Sequence, residues 1–236
     1  PLAAGKRIPI LSTAGADSVV GTGGRVSGNL FLAAPAASRA AERMLTYAQK
    51  ASITQLAVAH EAGDAYADSG VATLRAQAAK YGTKVVADQP FDPATVDFKP
   101  AFAAVRGSGA KLLLVWGSGT AAPLLERAWK DSGLGIPILL SVASCTTAFR
   151  GAVSDSGEGA LVECSSSVLA AALPAGSAIH RQVDPMATAF QQRNRHFPTQ
   201  AAFAGSAGPR PLFRPIPGAA RAAPAHPRPP PPPPPP

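Results

Sequence analysis

The chain has 236 residues, 46% of them hydrophobic and 15% charged, which is enough apolar material for a packed core. No apolar run has the length of a membrane span, and no basic n-region with an apolar h-region follows Pro1, so no signal peptide is read in this chain. The formal net charge of +8 invites a nucleic-acid reading. However, four of the arginines (Arg210, Arg214, Arg221, Arg228) lie in the last thirty residues, leaving 18 basic against 14 acidic residues before Ala207. Lys and Arg in that body are scattered over helix faces without interleaved aromatics, so solvated surface rather than nucleic acid is expected.

Taken in order, the chain opens with two extended segments, RIPILS (Arg7–Ser12) and NLFLAAP (Asn29–Pro35). An amphipathic stripe of Ala40, Ala41, Met44, Leu45 and Ala48 follows. From Ser52 to Ser141 one unit recurs: apolar strand, helix cap, amphipathic helix, Gly stop. The predicted strands are Ile53–His60, Lys84–Gln89, Lys111–Gly119 and Ile136–Ser141. Between the first two, Val71, Leu74, Ala78 and Tyr81 share a helix face that Gly82 ends. Asp97 is placed to cap a helix bearing Phe98, Ala101, Phe102 and Val105, with Pro100 in its first turn and Gly107 at its end. Thr120 is expected to cap the next, which Gly133 closes. There Leu124, Leu125, Ala128 and Trp129 are the expected buried face, and Glu126, Arg127, Lys130 and Asp131 the wet one. Val/Ile/Leu-rich strands alternating with helices predict an α/β fold, a parallel sheet wound with helices on both faces. Ligands of such sheets bind at the C-terminal ends of the strands.

Residues 207–236 hold 14 of the 25 prolines, no acid, and eight terminal prolines in a row. That composition cannot build a core and predicts disorder or polyproline II; a PxxP ligand for an SH3-like partner is the less favoured reading. Cys145 and Cys164 lie near the ends of consecutive strand segments, a placement that permits one disulfide and equally permits two buried thiols. No Cys/His spacing suggests a metal, and no cofactor motif is present. His60 ends a strand at the expected crevice; His180, His196 and His226 lie in polar or tail sequence. Trp116 and Thr120 occupy the glycine places around Ser118, so there is no Gly-x-Ser-x-Gly elbow. Neither a P-loop nor a Gly-x-Gly-x-x-Gly turn follows any strand. A binding protein is therefore favoured over an enzyme.

Residues from about Lys6 to Ser206 resemble the periplasmic solute-binding proteins of branched-chain amino acid-type ABC transporters, which have the two-lobed type I periplasmic binding fold. The resemblance is carried by IPILSTAGAD (Ile8–Asp17), AVAHEAGDAYADSG (Ala57–Gly70) and the stretch Ala79–Gly119. It continues through ERAWKDSGLGIPILLS (Glu126–Ser141), GEGALVE (Gly157–Glu163) and LPAGS with MATAFQQRNRHFP (Leu173–Pro198). It implies lobe one as a remnant over 1–51, lobe two over 52–166, a return segment and helix over 167–206, and the Pro/Arg-rich tail from 207. Family members carry a complete first-lobe sheet before the segment at Lys6, and their pattern is replaced near Ala201–Gly208 by Arg/Pro/Ala-rich sequence. A fragment with an incomplete lobe one and an aberrant C-terminus is expected.

The same resemblance implies a site. Ser12, Thr13, Ala14, Gly15 and Ala16 match the loop whose backbone N–H groups and hydroxyls hold a ligand carboxylate. Tyr66 matches the aromatic that closes over the ligand, and Trp116, Gly117, Ser118, Gly119 and Thr120 match the loop after the third strand of lobe two. Amino acid binders place an acid in the loop after the strand IPILLS; here Ala143 stands at that position. A buried ammonium without a carboxylate partner costs several kcal/mol, so a carboxylate, amide or aromatic acid lacking an ammonium is expected. The implied partners are a small-molecule ligand and an ABC permease in the membrane, with a periplasmic or lipid-anchored extracytoplasmic location. The alternatives are a ligand-sensing domain of a receptor or regulator, and a small α/β hydrolase using Ser118 with His60 oriented by Asp64. Because the tail offers almost no apolar area to bury, deleting residues 209–236 is expected to leave the melting temperature within about 2 °C, as a thermal-shift assay would show.

Overall fold

The computed structural model describes residues 10–13, 15–19, 30–117, 119–170, 173–199 and 202–203. Ala14, Ser118 and the tail from 207 lie outside the described residues. Two short strands, β1 (Ile10–Ser12) and β2 (Leu30–Leu32), pair in parallel. After helix α1 (Ala37–Lys50), the chain lays down β3 (Gln55–Glu61), α2 (Ala65–Gln77), β4 (Lys84–Phe91), α3 (Lys99–Gly107) and β5 (Leu112–Trp116). It continues through α4 (Ala121–Ser132), β6 (Ile138–Leu140), α5 (Thr147–Val153), β7 (Leu161–Val162) and α6 (Ala178–Asn194). The five strands from β3 on form one sheet in the order β4-β3-β5-β6-β7, every pair parallel. This is the doubly wound architecture expected from the alternating pattern.

The strand pleat divides the core in two. Leu56, Val58, Leu112, Leu114 and Trp116 point to one face, where Ala40, Ala41, Met44, Leu45 and Ala48 of α1 and Val71 and Leu74 of α2 cover them. Ala57, Ala59, Leu113, Val115, Ile138 and Leu140 point to the other, against Phe102 and Val105 of α3, Leu125 of α4 and Phe149 of α5. Every residue of β5 is buried, which is why its sequence is a continuous apolar run. Helix α1, grouped by sequence with residues 1–51, thus shares a core with the larger sheet. Pro90 falls within β4, where the missing N–H is tolerated because β4 is an edge strand.

Most helix signals hold: Gly82 and Gly133 adopt the left-handed conformation at φ +68° and +59°, and Asp97 Oδ1 accepts from the Lys99 amide. Three expectations need correction. Thr120 makes no side-chain cap bond to α4. Gly107 is the last residue of α3, and the reversal falls instead on Gly109 at φ +75°. Glu126 is fully buried while Leu124 is 36% exposed, because the turn Ser154–Gly157 covers that side of α4 and Ser156 Oγ donates to Glu126 Oε2 at 2.9 Å. Burial pushes the Glu126 carboxyl upward, with the Ser156 bond opposing. Cys145 and Cys164 form a disulfide with a Cα–Cα distance of 5.5 Å.

No helix among the described residues is long and apolar enough to cross a membrane. Leu114→Ala should cost about 2–5 kcal/mol in chemical denaturation, since the site lies between packed layers. Leu124→Ala, on the exposed side of α4, should cost under about 1 kcal/mol.

Candidate functional site

The loops that follow strands meet at one place. The segment after β1 is sewn onto the start of α1: Gly15 O accepts from the Ala37 amide at 2.7 Å, and Asp17 accepts from the Ser38 amide at 2.9 Å and the Ser38 hydroxyl at 2.7 Å. These bonds satisfy two first-turn donors of α1, which has no cap of its own. Ser12 O accepts from the Ala33 amide at 2.8 Å, joining the loops after β1 and β2. Gly15 is the tight point. A Cβ there would lie 2.4 Å from Pro35 O and 2.9 Å from Tyr66 Cε2, so only glycine lets three segments converge.

Tyr66 enters from the other side, in the first turn of α2, which Asp64 caps by accepting from the Ala67 amide at 2.7 Å. Its ring packs on Trp116 with centroids 5.2 Å apart, and Gly70, one turn on, leaves room for that indole. Together Thr13, Gly15, Ala34, Pro35, Tyr66, Val142 and Ala143 line a cavity of about 200 Å³.

Sequence reasoning therefore named four of these linings: Thr13, Gly15, Tyr66 and Ala143. Ala34, Pro35 and Val142 were missed; small or apolar side chains carry no chemical signature, although Ala34–Pro35 closes the NLFLAAP segment. Ser12 and buried Ala16 flank the loop. Trp116 is fully buried beneath Tyr66 rather than facing the cavity. Gly117 is packed under Phe91, and Gly119 and exposed Thr120 are not among the cavity's lining residues.

Buried polar atoms cluster here. Tyr66 Oη, Trp116 Nε1, Ser141 Oγ, Ser144 Oγ and Glu163 Oε2 have no hydrogen-bond partner, and all sit just past β5, β6 or β7 or at the start of α2. Burial raises the Tyr66 phenol, reinforced by the nearby Glu163 charge. Burial also pushes the Glu163 carboxyl up to about 7, against the pull of Arg43, whose guanidinium lies 3.6 Å away. His60 stands apart: its Nε2 lies 3.1 Å from Asp88 Oδ1, and Arg75 takes the other Asp88 oxygen. Desolvation lowers its pKa. Asp64 is engaged as a helix cap and does not orient His60, and Ser118 lies outside the described residues. No group of three or more His, Cys, Asp or Glu among the described residues is placed to hold a metal ion.

Residues 1–207 match the model of the periplasmic binding protein family. The chain belongs to that family. Its fold is that of an extracellular ligand-binding receptor from Rhodopseudomonas palustris HaA2, at 19% identity and a TM-score of 0.77 over 87% of this chain and 57% of the other. A solute-binding protein of an R. palustris ABC transporter, solved with benzoate, is similar at 18% identity and a TM-score of 0.69, covering 88% and 55%. Another, solved with 4-hydroxybenzoate, is similar at 18% and 0.58, covering 66% and 43%. The chain spans about half the length of these structures. No curated protein matches it.

This periplasmic binding protein should tolerate no side chain at the tight point. Gly15→Ala is expected to lower the melting temperature by several degrees in a thermal scan, because the added methyl must displace the Pro35 carbonyl.

Proposed function

We propose that the chain is part of an extracytoplasmic solute-binding component of an ABC transporter, and that it captures a small carboxylate between two lobes. The observation that carries this reading is the cavity, whose walls come from the loops after β1 and β2 on one side and from α2 and the β6 loop on the other. About 200 Å³ is below the range of sites for drug-sized ligands, so a single-ring or short-chain molecule fits. The loop at Thr13–Gly15 supplies a hydroxyl and backbone to a carboxylate, and Tyr66, backed by Trp116, supplies an aromatic wall. Ala143 offers no counter-charge to an ammonium, which favours acids such as those found with the two solute-binding relatives, benzoate and 4-hydroxybenzoate, over unmodified α-amino acids. The Cys145–Cys164 bridge agrees with an oxidising compartment such as the periplasm. Delivery to a membrane permease by closure of the two lobes follows from the same reading.

Isothermal titration of the chain with benzoate and leucine tests it. Benzoate should bind and leucine should not, and Tyr66→Ala should weaken benzoate by about 1–3 kcal/mol through loss of the ring face. Leucine binding with no benzoate binding would overturn it.

A further inference from the structure

The unpartnered polar atoms described above are not spread evenly round the cavity. Glu163 holds the strongest of them. It follows β7 directly, its amide donates to Leu140 O at 2.9 Å, and its side chain is only 11% exposed. Its Oε1 faces Arg43 at 3.6 Å, whereas Oε2 is buried without a hydrogen-bond partner. The next residue, Cys164, is bonded to Cys145, two residues beyond Ala143 of the cavity wall. The bridge therefore ties the Glu163 backbone to the loop in which an acid is absent. On the opposite side is Tyr66, whose hydroxyl is also buried and unpartnered and feels the Glu163 charge first among its charged neighbours.

A buried carboxylate oxygen and a buried phenol that both lack partners call for a group able to serve them, since each costs about 1–3 kcal/mol while unpaired. An unsubstituted aromatic acid such as benzoate leaves both unserved. A hydroxyl far from the ligand's carboxylate serves both, donating to the acid and accepting from the tyrosine. We infer that Glu163, with Tyr66, is the specificity-determining pair of the cavity and selects carboxylates that carry a hydroxyl at the far end, as in 4-hydroxybenzoate. This rests on the carboxylate-binding reading above. Such a reader works from the end of β7, one strand further along the sheet than the loop holding Ala143.

The groups around this corner are Arg43 on α1, Tyr66 and its cap Asp64 at the start of α2, and Asp17 after β1. Because burial holds the Glu163 carboxyl near 7, it is charged and purely accepting above that pH and protonated below it.

The test is calorimetric titration of the full chain and its Glu163→Gln variant with benzoate, 4-hydroxybenzoate and leucine at pH 5.5 and pH 8. Wild type should prefer 4-hydroxybenzoate to benzoate by about tenfold at pH 8, and by less at pH 5.5. Glu163→Gln should lose most of that preference and all of its pH dependence, while its benzoate affinity changes less than about twofold. Tyr66→Phe, which keeps the ring and removes the hydroxyl, should narrow the same preference without loss of benzoate binding. A merely structural Glu163 would weaken both ligands together at both pH values, or neither. Equal affinities for benzoate and 4-hydroxybenzoate in wild type would overturn the selection while leaving carboxylate binding intact. Failure of both acids to bind, or a preference for leucine, would overturn the two together.

Discussion

Parallel pairing is the constraint on which the rest of this structure depends. When every strand in a sheet runs the same way, each loop that follows a strand emerges at the same edge. All seven cavity residues come after a strand: Thr13 and Gly15 after β1, Ala34 and Pro35 after β2, Tyr66 after β3, Val142 and Ala143 after β6. β3 is flanked by β4 on one side and β5 on the other, so the connections on its two sides take helices to opposite faces and leave the strand ends open between them. The site is thus a consequence of winding direction before it is a consequence of any particular side chain.

What keeps the two sheets' loops in register is a polar seam with one tight spot. The carboxylate of Asp17 and the carbonyl of Gly15 take amide donors of α1, so the loop after β1 acts as that helix's cap from twenty residues away. An α-helix whose first turn has unpaired N–H groups is an anion site waiting for a ligand. Here those donors at Ala37 and Ser38 are consumed by the protein itself, so α1 contributes rigidity to the crevice rather than charge. Tyr66 reaches the same point only because Gly15 and Gly70 lack side chains, one for the ring's edge and one for the indole on which it rests.

Legibility in the sequence followed the reach of each signal. The strands and helices from Ile53 onward rest on local periodicity and on Gly82 and Gly133, and those are local facts that survive folding. The Thr13, Gly15, Tyr66 and Ala143 linings were readable through family resemblance, because motifs near strand ends keep their order along the chain. Glu126 was misread because its burial is imposed by the Ser154–Gly157 turn, about thirty residues on, and helical periodicity contains no record of that turn. Trp116 was assigned to the ligand because it follows a strand's apolar run. The pleat decides otherwise, since alternation from Leu112 and Leu114 sends it to the face covered by α2. Glu163 carried no signal at all: an acid beside a cysteine at the end of a two-residue strand looks like surface until the disulfide and α1 enclose it.

The distribution of unsatisfied groups is the strongest physical argument that this crevice is shaped for chemistry rather than stability. His60 has Asp88 beside it, Asp88 has Arg75, and the buried Glu126 has Ser156, so away from the crevice each buried charge has a protein neighbour that offsets its desolvation. At the ends of β5, β6 and β7 the pattern reverses, and Trp116, Ser141, Ser144, Glu163 and Tyr66 each keep a polar atom unserved. Alanine or phenylalanine at the serine and tyrosine positions would remove those costs, and selection for stability alone would favour them. Groups that lower stability together, on one edge of the sheet and around one cavity, are what a site looks like when its hydrogen bonds are completed by something other than the protein.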